Sequence, residues 1–376
     1  MTQIGPPIDI DRLHEDVSRL TGLTDFGDPS SYLDGLGILV ASYQDAGLTP
    51  LGAKMKRAFL RSALTARLFS ESAWRAHPEH AQVKIERPIF VTGLPRTGTT
   101  ALHRMLVSDP AHQGVELWLA DVPQPRPPRE RWHEIWQSHP IFQMLFRGYQ
   151  TSGQQLAKVH HLAADQVEEC WYLLRQSMMS VSFECLAHIP AYSAWLAARD
   201  WTAAYARHRR NLQLIGLNDF DPGGTARRWV LKNPSHLFAL DALMSVYPDA
   251  LVIQTHRPAH EAIASVCSLN ARASQGWSTV FKGGVIGRDQ LELWARGLSL
   301  FLEARARHDP ARFIDVSYSD LVDDPAAVLK TIYARLGRPF THAVPMPRGS
   351  GEHTYALEDF GLTRGQVEER FATIEQ

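Results

Sequence analysis

Gly93-Leu-Pro-Arg-Thr-Gly-Thr-Thr100 joins an apolar run at residues 87–93 to a stretch with helical spacing at residues 101–107. A strand, a tight loop and a helix in this order aim several backbone N–H groups and the positive end of the helix dipole at one point. Such a point binds a phosphate or a sulfate. The segment therefore predicts an α/β structure in which this loop holds an anionic group.

Apolar runs and helical spacing alternate along the second half of the chain. Further strands are predicted at residues 228–232, 250–256 and 312–316, and further helices at residues 236–246, from about Ala259, at residues 290–307 and at residues 325–336. Strands that alternate with helices form parallel sheets with helices on both faces. We therefore expect the α/β fold class, with a parallel β-sheet flanked by helices in a P-loop-like core of three layers.

Helical spacing also dominates residues 8–78 and most of the stretch from residue 132 to residue 217. We expect a helical N-terminal segment at residues 1–85, an α/β core at residues 86–340 with a large helical insertion at about residues 121–222, and a C-terminal segment at residues 341–376. The insertion carries large apolar side chains for which core packing is favoured over a substrate pocket: Trp171, Tyr172, Met178, Met179 and Phe183.

The charge and the histidines exclude two classes of partner. Lys and Arg together number 39 against 40 Asp and Glu, which gives a formal net charge of −1. The chain therefore has no overall positive field to attract nucleic acid, and no nucleic-acid partner is expected. His112, His160 and His161 have no Cys, Asp or Glu partner at a recognised ligand spacing, so no metal site is expected.

Cysteine usage and the N-terminal residues bear on location. The three cysteines, Cys170, Cys185 and Cys267, include no CxxC pair, which argues against a disulfide framework and a zinc site. The N-terminus is polar and acidic, and no stretch of about 18 uninterrupted apolar residues occurs. We expect a cytoplasmic protein with reduced thiols, without a signal peptide or an integral membrane segment.

The loop departs from the triphosphate-binding pattern G-x4-G-K-[ST] at one informative position. Thr99 stands where that pattern has lysine, and the loop's own cation is Arg96. Triphosphate hydrolysis also needs Mg²⁺, normally held in part by an Asp at the end of a neighbouring strand. Here the run at residues 251–256 ends in His256 and continues with Arg257, which offers a cation instead. A nucleotide kinase or NTPase and a non-catalytic nucleotide-binding protein remain the alternative hypotheses.

The segment Pro95-Arg-Thr-Gly-Thr-Thr100 resembles the 5′-phosphosulfate-binding loop of sulfotransferases that use 3′-phosphoadenosine-5′-phosphosulfate (PAPS), of the bacterial type with a P-loop-like fold. In that family a basic residue occupies the position of Arg96, and loop hydroxyls bind the 5′ end of the donor. The resemblance implies that the donor is held by Arg96, Thr97, Gly98, Thr99 and Thr100. PAPS would be the co-substrate, and adenosine 3′,5′-bisphosphate (PAP) the product.

A second motif adds the site that the 3′-phosphate of PAPS requires. Arg257 follows a buried strand and Ser265 comes eight residues later, a pair that resembles the family's 3′-phosphate motif. Both motifs lie at the carboxyl ends of predicted strands, where α/β sheets bind ligands. A closing segment at residues 353–362 resembles one that lies near the nucleotide in some bacterial members, which adds Tyr355. The resemblance covers about residues 87–362.

Sulfuryl transfer, like phosphoryl transfer, depends on positioning, on cations at the leaving oxygen and on a base. Arg96 is the candidate for charge stabilisation, and Lys232 either reaches the sulfuryl oxygens or pairs with a carboxylate. Two candidates for the base stay open. Glu116 resembles in position the catalytic glutamate of tyrosylprotein and bacterial sulfotransferases. His236 resembles the base of cytosolic sulfotransferases, although its spacing from Lys232 differs from theirs. No metal is implied, because the sulfuryl group carries less negative charge than a phosphoryl group.

The acceptor is predicted from the helical insertion alone. Its Trp, Met and Phe content is typical of apolar pockets. We therefore expect a small or lipid-like acceptor, such as a lipid, a sterol or a phenol, over a polyanionic sugar.

Overall fold

The computed structural model describes residues 7–138, 140–145, 163–219, 226–341 and 356–374. These residues form two compact units that interleave along the chain. The first draws on Met1–Lys84, Val115–Asp219 and Leu269–Val285, and the second on Ile85–Gly114, Phe220–Ser268 and Ile286–Gln376. In the described part of the chain, no helix is long and apolar enough to cross a membrane.

The elements are numbered along the chain. The helices are α1 Ile10–Thr21, α2 Leu33–Asp45, α3 Pro50–Ala76, α4 Thr99–Val107, α5 Leu117–Asp121, α6 Trp132–Ser138, α7 Trp171–Leu174, α8 Pro190–Ala197, α9 Thr202–Ile215, α10 Leu240–Val246, α11 Ala259–Ala273, α12 Gly284–Arg305, α13 Tyr318–Asp323, α14 Pro325–Arg335 and α15 Arg364–Ala372. The strands are β1 Ile89–Gly93, β2 His112–Gln113, β3 Arg228–Lys232, β4 Leu251–His256 and β5 Phe313–Ser317.

The second unit contains a five-stranded sheet in the order β2-β3-β1-β4-β5. Every pair of neighbouring strands runs parallel, and Ile89 of β1 stands opposite Val230 on one side and Leu251 on the other. All five residues of β1 are buried, as expected of a central parallel strand covered on both faces. The α/β class and the parallel sheet are confirmed.

Helices cover each face of this sheet. On one face, α4 packs Leu102, Met105 and Leu106 against strand residues such as Val91, because these positions share one side of a helix. On the other face, Phe301 of α12 packs its ring edge to face against Phe313 of β5 with centroids 6.2 Å apart. These layers form the expected P-loop-like α/β core.

The first unit is helical, and α1 to α3 occupy the region where helical spacing predicts them. Thr49 caps α3 by accepting a hydrogen bond from the Gly52 amide at 3.1 Å, and Pro50 takes the first helical position, where its missing N–H does no harm. Gly52 is required by close packing, because a Cβ atom there would collide with the Trp277 carbonyl oxygen.

Regular helix was wrongly predicted for part of residues 132–217. Of the described residues there, 175–177 and 181–186 form 3₁₀ turns around Met178, whose φ of 54° lies in the left-handed region. Burial explains the misleading pattern, since Met178 is 0% exposed and the apolar residues pack without helical repetition. The predicted helix at residues 236–246 likewise begins as a 3₁₀ turn and becomes α-helical only at Leu240.

Candidate active site around the glycine-rich loop

The loop between β1 and α4 holds three residues at positive φ. Gly93 has a φ of 139° and Gly98 a φ of 91°, and a Cβ atom at Gly93 would collide with the Thr255 carbonyl. Arg96 has a φ of 69° although it is not glycine. A left-handed conformation costs an L-residue about 1–2 kcal/mol, so surrounding contacts have to hold it. Strained residues of this kind cluster at binding and active sites, so Arg96 is a candidate functional position.

Two side chains of the second motif supply those contacts. Arg257 donates a hydrogen bond from Nη1 to the Arg96 carbonyl oxygen at 3.1 Å, and Arg96 donates from Nε to Ser265 Oγ at 3.0 Å. Each such bond stabilises by about 0.5–1.5 kcal/mol, so together they offset the strain. The two motifs that the sequence predicts as separate anion sites therefore meet in direct hydrogen bonds.

Arg257 is itself held in place from two further sides. Its Nε donates to Glu261 Oε2 at 2.8 Å, and its guanidinium lies 4.4 Å from the ring centroid of Tyr318. A guanidinium with a fixed plane suits a group with several oxygens, because its N–H donors diverge in a rigid fork. Sequence reasoning missed Tyr318 and Glu261, although Glu261 stands four residues after Arg257, a spacing typical of helical ion pairs.

Lys232 ends β3 and lies against the loop helix. It is 1% exposed, and its Nζ donates to Thr100 Oγ1 at 3.1 Å, so its charge stands at the first turn of α4. The Thr97 hydroxyl donates a hydrogen bond to the Leu94 carbonyl oxygen at 2.6 Å, and its oxygen lies 2.5 Å from Thr255 Oγ1 of β4. Three cations therefore lie around one loop, those of Arg96, Lys232 and Arg257. This arrangement suits a ligand with more than one anionic group.

The two candidate bases have very different surroundings. His236 is 1% exposed and its ring packs on Phe90. Glu116 belongs to the first unit, where Nε and Nη2 of Arg126 both donate to its Oε2 at 3.1 and 3.0 Å. Arg126 also forms an ion pair with Asp219. Arg126 and Asp219 were missed, because Arg126 lies in a proline-rich stretch that the sequence reads only as an interruption.

Four predicted or discounted positions remain. Tyr355 lies outside the described residues, and so do His160 and His161. His112 is described, and its Nδ1 lies 2.8 Å from the Leu106 carbonyl oxygen. This local contact places His112 in the packing between α4 and the sheet edge.

Comparisons with known proteins bear on the family and the fold of the chain. The model of the sulfotransferase family matches residues 88–342. The omega-hydroxy-beta-dihydromenaquinone-9 sulfotransferase Stf3 of Mycobacterium bovis, and that of Mycobacterium tuberculosis, are 26% identical to the chain over 263 residues. That match covers 66% of this chain and 62% of the length of Stf3.

Two solved structures resemble the whole chain. Sulfotransferase STF1 of Mycobacterium tuberculosis H37Rv has 52% identity and a TM-score of 0.87, over 98% of this chain and 99% of that one. Sulfotransferase STF9 of Mycobacterium avium has 25% identity and a TM-score of 0.80, over 97% and 95% of the two chains. With its loop, its parallel sheet and these matches, the chain belongs to the sulfotransferase family.

Proposed function

We propose that this chain transfers the sulfuryl group of PAPS to a hydroxyl, or a similar nucleophile, of a small or lipid-like apolar acceptor and releases PAP. The observation that carries the proposal is the hydrogen-bonded set of Arg96, Arg257 and Ser265. This set joins a loop that suits one anionic group to a helix that suits another. A nucleotide with phosphates on both the 5′ and 3′ positions matches such a paired site.

The donor would be divided between the two motifs. The α4 amides, Thr100 and Lys232 would hold the 5′-phosphosulfate, since a helix N-terminus and an ammonium group both favour anions. Arg257 and Ser265 would hold the 3′-phosphate. Arg96 contacts both Arg257 and Ser265, so a phosphate bound at one motif helps to fix the loop at the other.

The chemistry would be an in-line displacement at sulfur. The acceptor oxygen forms a bond to sulfur while the bond from sulfur to the 5′-phosphate oxygen breaks, and that leaving oxygen takes the electron pair. Arg96 and Lys232 would stabilise its developing charge, a contribution that fixed cations make without reorganisation. The acceptor's proton goes to a general base. No metal takes part in this scheme, so chelators should leave turnover unchanged.

We favour Glu116 over His236 as that base. His236 is nearly inaccessible at 1% exposure, whereas the Glu116 side chain is 14% exposed. Both Arg126 donors converge on Oε2 of Glu116, which fixes the carboxylate plane and leaves Oε1 to receive the proton. Asp219 shares Arg126 and reduces the net positive charge beside Glu116.

The apolar acceptor is supported by rings in the first unit. Phe59, Trp171 and Tyr172 are each partly exposed. The Trp171 and Tyr172 rings lie 3.9 Å apart, and Phe59 lies 6.5 Å from Trp171. Met178, Met179 and Phe183 are buried instead and belong to the core. The relative Stf3 has a menaquinone-derived acceptor in its name, which matches the lipid-like class of acceptor proposed for this chain. The cytoplasmic location expected from the sequence is part of the same proposal.

Calorimetry with nucleotides tests the function against its alternatives. We expect PAP to bind at least tenfold more tightly than ADP or ATP, with no change on adding Mg²⁺ or EDTA. Labelled PAPS should then transfer its label to a lipid extract or a phenol. Preference for ATP with Mg²⁺ would indicate a kinase or NTPase, and tight PAP binding without any transfer would indicate a non-catalytic nucleotide-binding protein.

A further inference from the structure

The first turns of α3, in the helical first unit, present an apolar stripe to solvent. Leu51 is 49% exposed, and Met55 and Phe59 are partly exposed. These three residues are spaced four apart, so they share one side of the helix. Single exposed apolar side chains are common on proteins and need no explanation, whereas a continuous apolar surface marks a place where something binds.

The cations beside this stripe are unpaired in the described chain. Lys54 is exposed, and Arg57 and Arg61 are partly exposed. Their spacings of three and four residues place them in a second row, along the adjoining side of α3. None of these three side chains has a hydrogen bond or an ion pair with another described residue. One side of the exposed surface is therefore apolar and the other is basic.

A neighbouring segment of the same unit adds two further cations. The segment lies beside the start of α3, where the Thr49 amide donates a hydrogen bond to the Trp277 carbonyl oxygen at 3.0 Å. Arg272 and Lys282 stand on either side of Trp277 in the sequence, and both are exposed. Within the part of the chain that the structure describes, neither side chain has a bonding partner.

Carboxylates do not balance this charge. Neither residues 46–70 nor residues 262–288 contain an Asp or a Glu, although the whole chain has 40 of them. Helix α1 packs on α3 and carries Asp11, Glu15 and Asp16, but none of these forms an ion pair with the five cations in the described structure. A chain with a formal net charge of −1 thus has a local surface of unpaired positive charge.

A bilayer surface with anionic lipids matches this combination. Apolar side chains beside Lys and Arg are typical of helices that lie at the boundary between lipid headgroups and acyl chains. Each Lys or Arg near an anionic bilayer strengthens binding about fivefold. We propose that this part of the first unit docks on an anionic lipid surface through a basic docking face, which consists of Leu51, Lys54, Met55, Arg57, Arg61, Arg272 and Lys282.

The apolar stripe continues into the rings of the proposed acceptor site. The Phe59 ring lies 6.5 Å from the Trp171 ring and 6.0 Å from the Trp277 ring. This continuity favours a lipid surface over an acidic protein, because docking would bring the partly exposed rings close to the bilayer in which a lipid-like acceptor dissolves. That consequence rests on the proposed function, whereas the docking itself does not.

Sedimentation with phospholipid vesicles tests the docking. We expect mixed vesicles of phosphatidylglycerol and phosphatidylcholine to bind the protein at least about tenfold more tightly than vesicles of phosphatidylcholine alone. High salt should release the protein, because it screens the charges. Lys54→Glu should weaken the binding at least about fivefold, and Leu51→Glu at least about tenfold, because it places a carboxylate in the apolar stripe.

Matched controls make the same substitutions on helices of the second unit. Lys330 of α14 is exposed, and Val322 of α13 is 57% exposed. Lys330→Glu and Val322→Glu should each change vesicle binding less than twofold.

Equal binding to neutral and anionic vesicles, or equal losses in the variants and their controls, would overturn the proposal. A loss in Lys54→Glu without a loss in Leu51→Glu would also overturn it, because the cations would then bind a polyanion and no bilayer. The measurement uses neither PAPS nor an acceptor. A chain that docks on vesicles but transfers no sulfuryl group would therefore refute the proposed function and leave the docking face standing.

Discussion

Arg96 combines backbone strain with the central charge of the loop. Arg96 has a left-handed φ of 69°, and the bond from its Nε to Ser265 places the guanidinium beside α11. Glycine would adopt this φ freely, but glycine carries no charge. The chain thus keeps an unfavourable conformation at the position where a cation serves the proposed chemistry.

Replacing Arg96 separates the strain from the chemistry. Arg96→Gly and Arg96→Ala both remove the charge, and we expect each to lower kcat by about a hundredfold or more. Only alanine keeps the steric penalty of positive φ, so the glycine variant should be about 1 kcal/mol more stable in urea unfolding. Equal stability of the two variants would show that the loop is not strained there, and full activity in either would remove Arg96 from catalysis.

The choice between the two bases makes a second prediction at the scale of single residues. We expect Glu116→Gln to lower kcat by about 10²–10⁴-fold while the dissociation constant of PAP stays unchanged, because a base acts on the acceptor's proton only. His236→Gln should lower stability through lost packing on Phe90 and spare kcat in the folded fraction. A large loss of kcat in His236→Gln, together with an unchanged kcat in Glu116→Gln, would assign the base to His236.

At the scale of elements, α3 contains a buried lysine that makes stability depend on pH. Lys56 is 1% exposed, its Nζ donates to the Leu186 carbonyl oxygen at 2.8 Å, and the rings of Tyr43 and Trp277 lie 5.4 and 5.3 Å away. No carboxylate pairs with it among the described residues. Burial lowers the pKa of Lys56 from the ordinary value of a lysine to about 7, since the charged form loses its hydration.

The sign of the effect follows from that lowered pKa. Between pH 7 and about 10 the unfolded chain keeps a proton on Lys56 that the folded chain has lost, so folding becomes more favourable as pH rises, by up to about 1.4 kcal/mol per pH unit. Lys56→Met should abolish this part of the slope between pH 7 and 9 in urea unfolding. Lys54→Met, on the exposed side of the same helix, should keep it. A slope unchanged in the Lys56 variant would refute the account.

Some elements could be predicted from sequence and others could not. The predictable elements are β1, α4 and the start of α11. The residues that signal them stand next to one another in the sequence, as Arg96 to Thr100 do. β2 is only two residues long and has no periodicity to detect. The residues around Met178 form 3₁₀ turns. They are apolar because they are buried, and the spacing of their apolar side chains imitates that of a regular helix.

Contacts between distant residues could not be predicted at all. The hydrogen bond from Arg96 to Ser265 and the shared pairing of Arg126 with Glu116 and Asp219 depend on how the elements pack. Sequence named Arg96, Ser265 and Glu116 by their chemical type and by family resemblance. It gave no sign of Arg126 and Asp219, because neither lies in a motif. The roles of all the named site residues remain predictions.

At the scale of the whole molecule, the chain contains two units that interleave along the sequence. The second contains the sheet, the loop and the proposed donor site, and the first contains Glu116 and the partly exposed rings Phe59, Trp171 and Tyr172. The family match spans both, at residues 88–342. The proposed function therefore requires one central claim to hold, namely that a single bisphosphorylated adenosine binds to both motifs of the second unit.

The most direct test of that claim compares PAP with AMP, which lacks the 3′-phosphate, on wild-type protein and on Arg257→Gln. We expect the variant to lose at least thirtyfold in affinity for PAP and less than threefold for AMP, because only PAP carries the group that Arg257 would bind. Equal losses for the two nucleotides would mean that Arg257 only supports the Arg96 loop, and the 3′-phosphate assignment would be wrong.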